Sequence, residues 1–158
     1  MPFAGTMGTA SVFVVAEKPV HVFTGLATQG QTIDTSWSAT TMQAGPIQVF
    51  EATVTRSVAV NMTVSGTPAT ISYSFACQSA PGALSSTSVN AYFYTGLNLT
   101  GTQTLIATLY ADPASWQNVL SSGGSVSVPV GTMSCYLIIS TRGSRFNNSY
   151  AYGALTLS

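Results

Sequence analysis

The chain has 158 residues, of which only 8 are charged, four cations against four anions, while serine and threonine together fill 43 positions. Four Lys and Arg cannot neutralise a run of phosphates or build a polybasic anchor, so nucleic acid and anionic membranes are excluded as partners. With 46 % hydrophobic residues and no net charge, the chain falls outside the disordered class, and its length fits one domain.

In chain order, residues 1–9 are Gly- and Thr-rich and read as an N-terminal arm, with Phe3 as a candidate contact to a neighbour. Residues 10–158 read as a single β-sandwich domain. The apolar run Val12-Phe13-Val14-Val15-Ala16 is closed by Glu17-Lys18, whereas a secretory signal puts its cations first. The segment is therefore expected to be mature chain and a first strand. Period-2 alternation, the mark of half-buried strands, then predicts strands over 20–24, 47–55, 58–64, 71–77, 89–95, 105–110, 125–130, 133–140 and 150–157. The clearest put Val58, Val60, Met62 and Val64 on one face, then Ile71, Tyr73, Phe75 and Cys77, then Met133, Cys135, Leu137 and Ile139.

One helix is expected over 113–120. Asp112 caps it, Pro113 occupies its first position, and Trp116, Val119 and Leu120 share a face before Gly123-Gly124 ends it. No apolar run is long enough for a membrane helix. Nine or ten short strands with a single helix predict an all-β, two-sheet antiparallel sandwich, jelly-roll-like. A membrane barrel would need aromatic girdles at both strand ends, and the aromatics gather unevenly.

Chemistry-bearing residues are few. His21 is the one histidine, and it is expected on the exposed, polar phase of its strand between Val20 and Val22. A nucleophile triad needs a buried carboxylate behind the base; only Asp34 and Asp112 are available as aspartates, and no Gly-x-Ser-x-Gly elbow is present. One His, two Cys and four carboxylates give no ligand-spaced cluster. The expectation is no enzyme, no metal and no cofactor. Cys77 and Cys135 both fall on apolar phases, which leaves open a disulfide across the sandwich or two buried thiols. Tyr92, Tyr94, Tyr110, Trp37, Tyr150 and Tyr152 offer stacking surfaces, so a glycan ligand stays open; Tyr and Phe also pack strands as a matter of course.

The missing charges carry positive information. Sheet proteins guard exposed edges with lysines, inward charges, prolines or bulges, and this chain has one lysine. A neutral surface is costly for a solitary soluble domain and cheap to desolvate in an assembly.

The stretches Ser88-Val89-Asn90-Ala91-Tyr92-Phe93-Tyr94-Thr95-Gly96 and Thr104-Leu105-Ile106-Ala107-Thr108-Leu109-Tyr110 resemble paired jelly-roll strands of small virion proteins of tailed bacteriophages. Ser125-Val126-Ser127-Val128-Pro129-Val130-Gly131-Thr132, leading into 133–140, is similar to the strand and corner of trimeric viral knobs. The resemblance covers residues 70–158. It implies a capsid decoration (cement) protein on the capsid exterior of the virion, a homo-oligomer with a trimer favoured and the major capsid protein as partner. Its alternative is a receptor-binding, lectin-like tip of a tail fibre, set second because the chain shows no stalk. Arg142 and Arg145, flanking Gly143-Ser144, are the candidate contacts to an acidic patch on the partner.

Overall fold

A computed structural model describes residues 18–26, 33–83, 86–113, 118–145 and 147–158. The predicted arm with Phe3, the predicted strand at 11–16 and Trp116 lie outside the described residues.

The described chain forms ten strands: β1 (Val20–Gly25), β2 (Thr35–Trp37), β3 (Thr41–Val49), β4 (Thr53–Ser65), β5 (Ala69–Gln78), β6 (Thr87–Tyr94), β7 (Gln103–Ala111), β8 (Leu120–Val128), β9 (Gly131–Arg142) and β10 (Ser149–Leu157). They pair antiparallel in two five-stranded sheets, one in the order β1-β4-β9-β6-β7 (sheet A), the other β2-β3-β10-β5-β8 (sheet B). Strands β3 to β10 nest like one long hairpin. β6 pairs with β7, β5 with β8, β4 with β9 and β3 with β10, and successive pairs alternate between the sheets. The β9–β6 and β10–β5 pairings then close each sheet. Rolled in this way, the eight strands are a jelly roll, with β1 and β2 added outside β4 and β3.

The alternation that predicted the strands also builds the core. Val58, Val60, Met62 and Val64 of β4 face Ile71, Phe75 and Cys77 of β5 across the sandwich interior, with Met133, Cys135, Leu137 and Ile139 of β9 beside them, all buried. Gly153 of β10 lets the sheets close together. A Cβ there would come within 2.8 Å of Val89 and 3.0 Å of Leu137, both from the opposite sheet. Two irregularities break the alternation. Two residues of β3, Gly45 and Pro46, oppose Tyr152 alone, and Ile106 is an extra residue in β7 between Ala107 and Leu105. At each bulge two neighbours turn inward together, Ala44 with Gly45 and Ile106 with Ala107.

Some expectations need correction. The strand predicted over 47–55 is the end of β3 and the start of β4, separated by a turn at residues 50–52 where Glu51 takes a left-handed φ of 56°. Leu120, placed at the end of the predicted helix, opens β8 instead, paired with Cys77; residues 114–117 of that helix lie outside the described residues. β2 and the first half of β3 were not anticipated. His21 sits on the other phase of β1 from the one expected. It shares the inward phase with buried Phe23, is itself half-buried, and donates from Nε2 to the Thr67 carbonyl at 3.0 Å, while Val20 is the exposed neighbour.

Antiparallel alternation sorts the connections between two ends. The described residues at 50–52, 79–83, 112–113, 118–119, 143–145 and 147–148 share one end; those at 66–68, 95–102 and 129–130 share the other.

Candidate functional site

The few charges are not scattered. Among the ten strands only Arg56 in β4 and Arg142 in β9 are charged, and the four edge strands β1, β2, β7 and β8 carry no Asp, Glu, Lys or Arg at all. Of the seven charged residues described, Glu51, Asp112, Arg142 and Arg145 lie at the end formed by the connections 50–52, 112–119 and 143–148, with the Asp34–Arg56 pair a short way down. Lys18 alone sits at the opposite end, next to Pro19, which packs on Gly66 of the β4–β5 turn.

Backbone hydrogen bonds build this charged end. Gly143 N–H donates to Ala52 O at 3.0 Å and Glu51 N–H to Ser144 O at 3.2 Å, which locks the β9–β10 connection onto the β3–β4 turn. Gly143 has to be glycine because a Cβ would fall 2.0 Å from the Val49 carbonyl oxygen. Ser149 Oγ donates to Arg142 O at 2.7 Å and accepts from Ala80 N–H at 2.8 Å, tying in the β5–β6 connection. Beneath it the buried Thr87 and Thr141 hydroxyls meet at 2.7 Å. The result is a cleft of about 230 Å³ lined by Glu51, Gly82, Arg142, Gly143, Ser144 and Arg145. The two arginines singled out from the sequence thus share one cleft, on a backbone that is held rigidly.

A second cleft of about 220 Å³ opens where the sheets part beside β3 and β4, lined by Asp34, Pro46, Ile47, Gln48, Val49, Val54 and Arg56. Arg56 Nε donates to Asp34 Oδ2 at 3.2 Å and Nη1 to Thr55 O at 3.1 Å. Arg56 lies on the inward phase of β4, so the pair stands at the mouth of the core. At 26 % and 40 % side-chain exposure, water screens it substantially.

The other predicted residues separate. Cys77 of β5 and Cys135 of β9 belong to different sheets; both are buried and both are free thiols. Burial alone pushes the Cys77 thiol up to about 11 and Cys135 to about 12. His21 pairs with Val64, whereas Arg56, the partner of Asp34, lies eight residues back along β4, roughly 26 Å at the rise of a strand. The fold does not bring His21 and Asp34 together. No group of three or more potential metal ligands exists among the described residues, and no described helix is long and apolar enough to cross a membrane.

A further surface joins Tyr92 and Tyr94, offered by the sequence as stacking residues, to Tyr136 and Leu105, which it did not single out. Across the outer face of sheet A the register aligns Ala59, Tyr136, Tyr92 and Leu105 in one row. The flanking rows are Ser57, Ile138, Asn90 and Thr108 on one side, and Asn61, Ser134, Tyr94 and Gln103 on the other. No Asp, Glu, Lys or Arg occurs in the three rows. Leu105 is 51 % exposed, and the three tyrosines are half-buried against their neighbours.

The β6–β7 connection folds back over one end of this face as a single 3-10 turn, Leu97–Leu99, against β9 and β4. Asn98 and Leu99 both take left-handed φ, 55° and 60°, which is strained for leucine. Side chains of the sheet hold them there. Asn61 Oδ1 accepts from Asn98 N–H at 2.8 Å, and Ser134 Oγ accepts from Leu99 N–H at 2.8 Å while donating to Gly96 O at 2.7 Å. Tyr136 was legible only as an alternating residue of a strand; nothing local in the sequence places it beside Tyr92.

Comparison of the chain with protein families, with curated proteins and with solved structures finds no match.

Proposed function

We propose that the chain is a structural virion protein, a capsid decoration (cement) subunit that binds the outer shell of a capsid through the major capsid protein and assembles as a homo-oligomer, a trimer by resemblance. The observation that supports this most is the placement of charge. Gathering six of the seven described charged side chains at or near one end leaves both broad faces and all four edge strands neutral among the described residues. Desolvating hydroxyls and amides costs far less than desolvating ions, so such surfaces suit extensive contact with other subunits. Charge concentrated at one end fixes orientation rather than adding affinity. The Glu51–Arg142–Arg145 cleft is the part that would set which way the subunit sits on the shell, its two guanidinium groups taking carboxylates of the capsid protein.

Purified particles test this directly. The protein is expected in fixed stoichiometry with the shell, and particles stripped of it are expected to lose resistance to heat and osmotic shock. Arg142→Ala with Arg145→Ala is expected to weaken rebinding to stripped shells at least tenfold while the fold survives. Absence from purified particles, or stripped particles as robust as intact ones, would overturn the proposal.

A further inference from the structure

We propose that the tyrosine row on the outer face of sheet A is a binding site for a neutral oligosaccharide, with Tyr136 and Tyr92 as the stacking platform, Leu105 extending it and the Leu97–Leu99 turn as its wall. The inference goes beyond the decoration reading and does not depend on it.

Three observations converge. First, the platform is a stripe of aromatic and apolar surface with amides and hydroxyls in the rows on both sides, Ile138 being the one aliphatic member of those rows. Tyr136 and Tyr92 are direct cross-strand partners, so their side chains leave the same face from adjacent strands, and Asn90 and Gln103 border them from the two flanking rows. A sugar has the same organisation, apolar C–H faces edged by hydroxyl groups. Aromatic rings take the faces while amides and hydroxyls take the edges. Second, the polar border is preset. Thr108 Oγ1 donates to Asn90 Oδ1 at 2.6 Å, which leaves the Asn90 amide N–H groups directed elsewhere, and Gln103 Nε2 donates to the Tyr94 hydroxyl at 2.8 Å. Third, the wall carries strain. Leu99, next to Asn98 and likewise in left-handed conformation, is held there by Ser134 and Asn61 at a cost in free energy that a leucine does not ordinarily bear. Strain retained in this way clusters at ligand sites.

Charge and size choose the occupant. With no Asp, Glu, Lys or Arg in the three rows, the surface offers nothing to a phosphate, a sulfated chain or an acidic peptide. At strand spacing and rise, the open part spanning β9, β6 and β7 covers on the order of 200 Å². A stable protein interface needs roughly 800 Å² per partner. The patch is too small to hold a second copy by itself and suits a few sugar rings laid across the strands.

The test is a calorimetric and NMR titration of the intact protein with neutral hexasaccharides: cello-, malto-, chito- and mannohexaose. At least one is expected to bind saturably, with an affinity unchanged between low salt and 1 M NaCl. Tyr92→Ala and Tyr136→Ala are each expected to weaken it at least tenfold, and Tyr92→Phe, which keeps the ring and the fold, by less than threefold. Four blank titrations would overturn the proposal, as would binding that Tyr92→Ala leaves intact. Binding that collapses with salt would move the site to the Arg142–Arg145 cleft, and a change in oligomeric state on Tyr136→Ala would make the face a self-interface. Either result also refutes the glycan site.

Discussion

Ser134→Ala removes one hydroxyl, and the geometry around it sets the size of the effect. Ser134 is fully buried although its side chain points away from the core, because the β6–β7 connection covers it. Its Oγ bridges Leu99 N–H at 2.8 Å and Gly96 O at 2.7 Å. Alanine leaves both groups unpartnered beneath the turn, and an unmade bond at a covered site costs about 1–3 kcal/mol. A second term has the opposite sign. If the turn opens, Leu99 escapes its φ of 60° and recovers about 1 kcal/mol. The net loss is therefore up to about 2 kcal/mol, which lowers the melting temperature of a domain this size by up to about 8 °C. Scanning calorimetry reads the global loss, and amide exchange reads the local one. The Leu99 amide should lose protection at least tenfold, while amides of β4 and β9 change only in proportion to global stability. A melting temperature within about 1 °C of the wild type, with Leu99 still protected, would refute the claim that this hydroxyl holds the turn.

Three further outcomes are expected. The thiols of Cys77 and Cys135, raised by burial from an ordinary 9.0 to about 11 and about 12, should resist a thiol reagent at pH 8 in the native protein and react after unfolding. Because the folded values are the higher ones, their contribution to stability is complete below pH 9. It falls as the pH rises from 9 through about 11 to 12, where the unfolded chain ionises first; urea titrations between pH 7 and 10.5 check this. Gly143→Ala drives a methyl group onto the Val49 carbonyl and should cost more than about 3 kcal/mol in chemical denaturation. Asp34→Asn breaks an exposed ion pair and should change stability by less than about 1 kcal/mol.

The strands with strict alternation were legible because one face of each is fully buried. Val58 to Val64 and Met133 to Ile139 announce themselves since every second residue must be apolar for the sheets to close. β2 and the start of β3 were hidden. Thr41-Met42-Gln43-Ala44-Gly45-Pro46 carries a glycine and a proline that read as a turn, and the bulge at Gly45–Pro46 is what lets them lie within a strand. His21 was misplaced because valines stand on both sides of it, so local hydropathy set the wrong phase; its pairing with Val64 decides which way it points. The helix signal at Asp112-Pro113 was sound capping chemistry, yet Leu120 pairs with Cys77 and belongs to the sheet. Of the candidate sites, Arg142 and Arg145 were legible as neighbours in sequence. Glu51 joins them only through the bonds from Gly143 and Glu51 across two connections. The tyrosine row was legible only in part: Tyr92 and Tyr94 read as stacking residues, whereas setting Tyr136 and Leu105 beside Tyr92 needs the register of four strands drawn from positions 59 to 136.

The nested pairing governs how the chain comes to be folded. Within the nest only β6 and β7 are close in sequence, while β4 must find β9, with Val60 beside Cys135, and β3 must find β10, with Met42 beside Leu155. Such long-range pairing makes folding slow, on the order of milliseconds to seconds. β10, the last of the ten described strands in chain order, fills the centre of sheet B between β3 and β5. Until it arrives, both of those strands present bare backbone without a single charged residue to repel a stranger. The chain is therefore more exposed to misassociation before β10 docks than after, and its yield rests on how quickly that strand is inserted.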